Sequence, residues 1–332
     1  MTRTMSRALF PLLITLVVGL FFVSLLTGPA GFGPGESLRA LTSGQGDAVT
    51  LVMREIRLPR AILGILVGLS LGMSGAALQG YLRNPLAEPG LIGVSGSAAL
   101  GAVIALQTGI AASFALALPL AALTGALIAT LLILALAGPR GGSLTLILAG
   151  IAISALASAL LSLVLNLSPN PFAVSETIFW MLGSLSDRSF THVWIALPFM
   201  AVGWALLLSL GRSLDALTLG EDAASALGIR LKHTRLTLII GIAACVGAAT
   251  AVAGAIGFVG LVVPHILRPL VGARPGRLMP ASALGGAALV LAADIATRLI
   301  LPERDLKLGV LMAIVGAPLF LHLIYKTRRE GI

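Results

Sequence analysis

The sequence predicts an all-α polytopic membrane protein, and three observations carry that prediction. The 332 residues are 58% hydrophobic and 11% charged, where a soluble domain carries about a quarter charged residues. Apolar runs long enough to cross a bilayer as helices recur from one end of the chain to the other. The longest polar connections, 28–57, 167–190 and 211–235, are too short to hold a soluble domain, so residues 1–332 read as a single transmembrane domain.

About ten spans are expected. The first, 8–27, follows Arg3 and Arg7 in the manner of a signal peptide. Its run is too long for an ordinary h-region and no convincing cleavage site follows, so it reads as a retained helix. The second, 58–80, carries Gly64, Gly68, Gly72, Ala76 and Gly80 at four-residue spacing, a stripe that lets helix backbones approach closely in lipid. The third, 90–109, is weakened by the prolines and glycines of "RNPLAEPGLIGVSGSA". Spans 113–137, 144–166 and 191–210 follow without an Asp, Glu, Lys or Arg. The seventh, 236–256, begins a second small-residue stripe, Gly241, Cys245, Ala249, Ala253 and Gly257, and the eighth, 259–272, is short. Spans 278–300 and 308–325 complete the set, the former containing Asp294 and Arg298.

With the N-terminus in the cytoplasm, 14 Lys and Arg fall inside and 8 outside, as the positive-inside rule requires. An even span count then places both basic termini in the cytoplasm. The net charge of +9 follows from residues flanking membrane helices. No soluble basic domain exists to hold nucleic acid. The single Cys245 lies within a span and forms no intrachain disulfide.

The chemistry-bearing residues are few. Asp294 and Arg298 stand four apart, on one helix face, where they neutralise each other. That pairing makes a poor proton relay. His265 has no second ligand at metal spacing, so it reads as a structural histidine and no metal is expected. No phosphate-binding G-x-x-x-x-G-K-[ST] occurs, and no catalytic residue is assigned.

The connection "RSLDALTLGEDAASALGIRLKHTR" carries acids after Gly220 and a glycine after Leu227, which describes a short capped helix of about two turns. Leu217, Leu219, Ala223 and Leu227 give it an apolar side outside the membrane, as a docking surface for another protein would have. On the opposite side Arg54, Arg57 and Arg60 stand at three-residue spacing and would share one helix face, which suits an acidic partner. The breaks at Pro85, Pro89, Gly90, Gly93 and Gly96 interrupt helix where irregular backbone survives only inside protein or beside a water-filled cavity. Such a break suits a gate or a static hairpin.

Several stretches together resemble one family. They are "REIRLPRAILGILVGLSLGMSGAALQGYLRNPLAEPGLIGVSGSAALGA", "LGEDAASALGI", "GAIGFVGLVVPHILRPL", "LMPASALGGAALVLAADIATRL" and "GVLMAIVGAPLFLHLIY". The chain is similar to FecCD-type permeases of ABC importers for iron-siderophores, haem and cobalamin, from about Arg57 to Tyr325 and in family order. The resemblance implies the ten-helix type II importer permease fold in the bacterial cytoplasmic (inner) membrane. It further implies a pair of permease copies, of which a homodimer is expected, two cytoplasmic ATPases and a periplasmic binding protein. ATP is used by the partner, and no cofactor is expected on this chain.

Carried onto this sequence, the resemblance makes Arg57, Arg60 and Arg298 the arginines that receive glutamates of the binding protein. Leu219, Gly220, Glu221, Ala224, Leu227 and Gly228 resemble the coupling helix, within coupling helices spanning about 215–231. Asn84 and Leu86 match one cytoplasmic gate segment, and Ser143 and Leu144 the other. Two loops depart from the family. Ala273 and Arg274 stand where an acid-His-Arg group is usual, and "PERDLKLG" places Arg304, Asp305 and Lys307 where Pro-x-Glu-Leu-Pro is usual.

The expected function is translocation of an iron chelate, a ferric siderophore or haem, with cobalamin as the alternative. An ion-coupled secondary transporter, an intramembrane enzyme and a scaffold that only anchors an ATPase are the rival classes.

Overall fold

The computed structural model describes residues 3–28, 30–43, 47–114, 116–138, 142–300 and 305–329. Among them there is no strand. Sixteen α-helices follow one another. The first eight are α1 (Arg3–Leu26), α2 (Pro34–Ser43), α3 (Ala48–Leu51), α4 (Leu58–Leu82), α5 (Val94–Gln107), α6 (Ile110–Ser113), α7 (Ala117–Ala137) and α8 (Ser143–Asn166). The rest are α9 (Pro171–Met181), α10 (Phe190–Ser209), α11 (Gly211–Leu217), α12 (Glu221–Ala226), α13 (Leu231–Ala253), α14 (Val259–Leu267), α15 (Pro275–Ile300) and α16 (Leu308–Arg329).

Seven helical stretches are long and apolar enough to cross a membrane: those of α1, α3–α4, α7, α8, α10, α13 and α15. Shorter apolar helices occupy the other three expected positions, Val94–Gln107, Val259–Val271 and Leu308–His322. The third and eighth spans are thus short, as their glycines and prolines predict.

Boundaries differ from expectation where local sequence is ambiguous. The second span continues upstream as helix to Ala48, through a π-helical turn at Val52–Arg57. The third begins at Val94, because Pro89–Ile92 forms a 3₁₀ turn closed by Gly93 at φ 82°. The seventh spans Leu231–Ala253 rather than 236–256, and Gly257 lies beyond it. The polar connections hold α2, α3, α9, α11 and α12, which are too short to give a span-length apolar signal.

The centre of the bundle is α4 against α15. A Cβ on Gly72 would stand 2.0 Å from the Ser282 carbonyl oxygen, and one on Gly286 would stand 2.2 Å from that of Gly68. Close approach explains the glycine stripe: backbone meets backbone, and dispersion replaces a hydrophobic effect that lipid does not supply between helices. The first span packs into this bundle through Leu9, Leu13, Val17 and Leu25, all buried. By contrast α7 and α8 turn most of their leucines outward, and α10 exposes Trp194, Phe199, Val202 and Leu208, as lipid- or partner-facing helices do.

Candidate functional site

Three places in the fold carry the residues singled out by sequence. At one end, α1 stops and leaves its last carbonyls without helical partners. Arg57 donates through Nη1 to the Leu25 carbonyl (3.0 Å) and through Nη2 to that of Ala30 (2.7 Å). Arg298 donates through Nη1 to the carbonyls of Ser24 (2.9 Å) and Thr27 (2.6 Å). Two cations therefore close the negative end of the α1 dipole.

Asp294 lies between Arg298 and Arg60. Arg298 Nη2 donates to Oδ2 at 2.8 Å, and Arg60 donates through Nε and Nη2 to Oδ1 at 3.0 and 2.8 Å. Asp294 is 1% exposed, Arg298 8% and Arg60 17%. The pairing of Asp294 with Arg298 is the one expected from their spacing; Arg60, 234 residues away in the chain, joins it.

Arg54, Arg57 and Arg60 do not share a face. The π-helical turn rewinds the chain between them, so Arg54 bonds the Leu41 carbonyl, Arg57 the end of α1 and Arg60 Asp294. Arg57, Arg60 and Arg298 converge around one carboxylate and a helix end, leaving two positive charges in excess.

At the other end lies the 211–231 connection. It forms two helices, with Gly220 between them at φ 106°. That kink resets the helical phase, and the expected apolar side is corrected accordingly. Leu217 points inward with Leu214 and Ala224 and anchors the pair, whereas Leu219 is 69% and Leu227 64% exposed.

The end of α12 is closed by the Ile229 amide on the Ala224 carbonyl and the Gly228 amide on that of Ser225, with Gly228 at φ 84°. This is the Schellman arrangement that the glycine predicts. Asp215 accepts from the Gly276 amide at 2.8 Å, which ties α11 to the start of α15. Glu221 is exposed at the head of α12.

Beside α12 runs the 83–92 turn. Arg83 adopts φ 50°, and its Nη1 lies 4.0 Å from where a Gly220 Cβ would be. The Asn84 side chain accepts from the Leu86 amide at 2.9 Å, an Asx turn. Leu86 packs against the cluster of Leu261 and Val262, together with Phe258, Leu319 and Phe320.

Sequence reasoning missed the staples beneath this turn. Gln79, buried in α4, donates to the carbonyls of Ala87 (3.3 Å) and Gly260 (3.2 Å) and accepts from Arg268 Nη2 at 2.6 Å. Glu88 accepts from the Phe258 amide at 2.7 Å. A glutamine inside an apolar span was the available signal for the first of these.

Ser143 and Leu144 open α8, and Leu144 is 68% exposed. The turn meets α8 deeper, where a Gly93 Cβ would press on the Gly150 carbonyl and on Ser154. Among the described residues, no hydrogen bond or ion pair joins Ser143 or Leu144 to Asn84 or Leu86. Of the departing loops, Ala273 sits at φ 58° and Lys307 pairs with Asp305. Arg304, and Arg140 of the charge count, lie outside the described residues. No group of three or more His, Cys, Asp or Glu that could hold a metal occurs among the described residues.

The sequence model of the FecCD transport family matches residues 14–326. The chain is 39% identical to the Vitamin B12 import system permease protein BtuC of Klebsiella pneumoniae, over 99% of this chain and 96% of the relative. It is 37% identical to the Fe(3+) dicitrate transport system permease protein FecD of Escherichia coli, covering 96% and 99%. It is 36% identical to the Hemin transport system permease protein HmuU of Yersinia pestis, covering 94% and 95%. A solved structure of a metal-chelate type ABC transporter in an inward-facing conformation superposes with TM-score 0.83 at 33% identity, over 96% of this chain and 99% of that one.

Proposed function

The chain belongs to the FecCD transport family, and from that premise we propose that it is the permease subunit of an ATP-binding-cassette importer that carries an iron chelate, a ferric siderophore or haem, across the bacterial cytoplasmic membrane. The whole chain acts as one transmembrane domain, with both termini in the cytoplasm. It hydrolyses no ATP and binds no cofactor of its own. A periplasmic binding protein delivers the chelate, and cytoplasmic ATPases drive its passage.

The observation that carries this reading is the α11–α12 pair. Leu219 and Leu227 stand exposed at the two ends of α12, whose C-terminal end is closed at Gly228 and which is locked into the bundle with α11 by Leu214, Leu217 and Ala224. A rigid base under an exposed apolar tip transmits force, and apolar anchors surrounded by charge are what a protein partner buries. Motion of α12 reaches the gate by two routes: through Arg83, which lies against Gly220, and through Asp215 on the first turn of α15.

At the far end, Arg57, Arg60 and Arg298 keep a net excess of positive charge around Asp294, and this field attracts glutamates of the binding protein. Asn84 and Leu86 of one copy and Ser143 and Leu144 close the cytoplasmic gate across a homodimer.

An ion-coupled secondary transporter needs an intramembrane acid free to take up and release its ion. Asp294 is held by two arginines instead. Cobalamin is the second reading for the cargo, favoured by the 39% identity to BtuC. The test is reconstitution with the cognate ATPase and binding protein in vesicles, loaded with a ferric siderophore, haem or cobalamin. ATP-dependent accumulation of an iron chelate is expected. Uptake that ignores ATP, or accumulation of cobalamin alone, overturns the first reading.

A further inference from the structure

A second site lies on the membrane face, away from both the arginine cluster and the 83–92 turn. The C-terminal end of α7 and the first turns of α13 enclose a cavity of about 280 Å³, walled by Leu134, Ala135, Ala137 and Leu236, with Lys232 and Arg235 at one end. We propose that this cavity binds the phosphate headgroup of an anionic glycerophospholipid, with its acyl chains lying along α7 and α13.

Arg235 is 7% exposed, and its Nη2 donates to the Gly138 carbonyl at 2.6 Å, where α7 ends. That bond fixes the guanidinium in the wall of the cavity. Lys232 is exposed one turn away on the same helix. Among the described residues neither cation is in an ion pair. A buried guanidinium and a mobile ammonium around one opening suit a phosphate, the first as a fixed fork and the second as a point charge.

The rest of the cavity argues for a lipid rather than a soluble anion. Lys232, Leu236 and Ile240 are exposed at four-residue spacing, a single stripe with the cation at its end. Leu131 and Ala135 of α7 are exposed in the same manner. A free phosphate has no use for these apolar walls, whereas a phospholipid has charge at one end and hydrocarbon along the remainder. The basic end of α13 also carries Arg230, as a segment at an anionic leaflet does. Snorkelling of Lys232 alone accounts for one cation at a helix end. It accounts neither for the cavity nor for Arg235 in its wall.

The experiment uses the full chain in a neutral detergent, with three probes: dioleoylphosphatidylglycerol, dioleoylphosphatidylcholine and inorganic phosphate. Retention is read by native mass spectrometry and stabilisation by thermal unfolding. Phosphatidylglycerol is expected to be retained and to raise Tm, with phosphatidylcholine and phosphate without effect. Lys232→Ala, at an exposed position that leaves folding intact, is expected to weaken retention about fivefold, the worth of one basic side chain near an anionic surface. Leu236→Asn is expected to weaken it as well, with both cations in place. Equal retention of phosphatidylcholine, stabilisation by phosphate alone, or phosphatidylglycerol binding untouched by Lys232→Ala each overturns the proposal.

Discussion

The two ends of the bundle are built on opposite principles. At the arginine end, charge is spent inside the protein: Arg60 and Arg298 close on Asp294, and Arg57 and Arg298 close on the last carbonyls of α1. At the α12 end, the anchors are apolar and the outermost of them, Leu219 and Leu227, lie exposed. The first arrangement holds three helices, α1, α4 and α15, in one register and shows a partner only its residual field. The second shows a partner bare hydrocarbon and relies on that partner to cover it. A protein that docks at the arginine end is therefore steered by long-range charge and released easily. One that docks at α12 is held by burial.

Asp294→Asn breaks that comparison hardest. It leaves the guanidinium groups of Arg60 and Arg298 on a neutral amide in a site nearly closed to water, and loss of one member of a buried ion pair costs about 3–5 kcal/mol. Thermal unfolding in detergent checks it. An unchanged Tm would show that the cluster is solvated and that the inward bonds do not govern this end.

Next in size is the pair Leu219→Ser with Leu227→Ser. Removal of two exposed anchors is expected to weaken binding of the ATPase by about 2 kcal/mol, roughly thirtyfold, with the Tm of the isolated chain unchanged. Co-purification and titration with the ATPase read this. A fall in Tm without loss of binding would mean that the leucines serve the fold. Between the two ends, Gly72→Ala drives a methyl into the Ser282 carbonyl and is expected to cost about 1–3 kcal/mol, measured by the same unfolding assay.

How much of this was legible in the sequence depends on how far each signal reaches along the chain. Spans were legible because hydropathy is local, and Asp294 with Arg298 because four residues make one helical turn. Arg60 was not, since nothing in "RLPR" points to a carboxylate 234 residues away. The fan of Arg54, Arg57 and Arg60 was misread because a π turn uses the same residues as an α turn and differs only in its winding. Leu217 was placed outside because one helical phase was assumed across Gly220, whose φ of 106° starts a second helix. The capped end at Gly228 was legible, because only one type of residue takes that conformation without strain.

The smallest predicted effect sharpens the comparison most, since it concerns the turn proposed as the gate. The 83–92 turn is fastened by single bonds: the Asn84 side chain to the Leu86 amide, Gln79 to the Ala87 carbonyl, and Glu88 to the Phe258 amide. Asn84 is exposed, so Asn84→Ala removes one bond that water replaces, and the expected loss of stability is about 0.5–1.5 kcal/mol. The Asx turn nonetheless fixes where Leu86 meets the cluster of Leu261 and Val262. The variant is therefore expected to leave Tm nearly unchanged and to raise passive leakage of a preloaded chelate from reconstituted vesicles, measured without ATP. A cost as large as that of Asp294→Asn would place the turn among the rigid parts of the bundle. A vesicle leak equal to wild type would separate Leu86 from closure altogether, because a gate whose contact residue has lost its positioning bond must seal less well than one that has kept it.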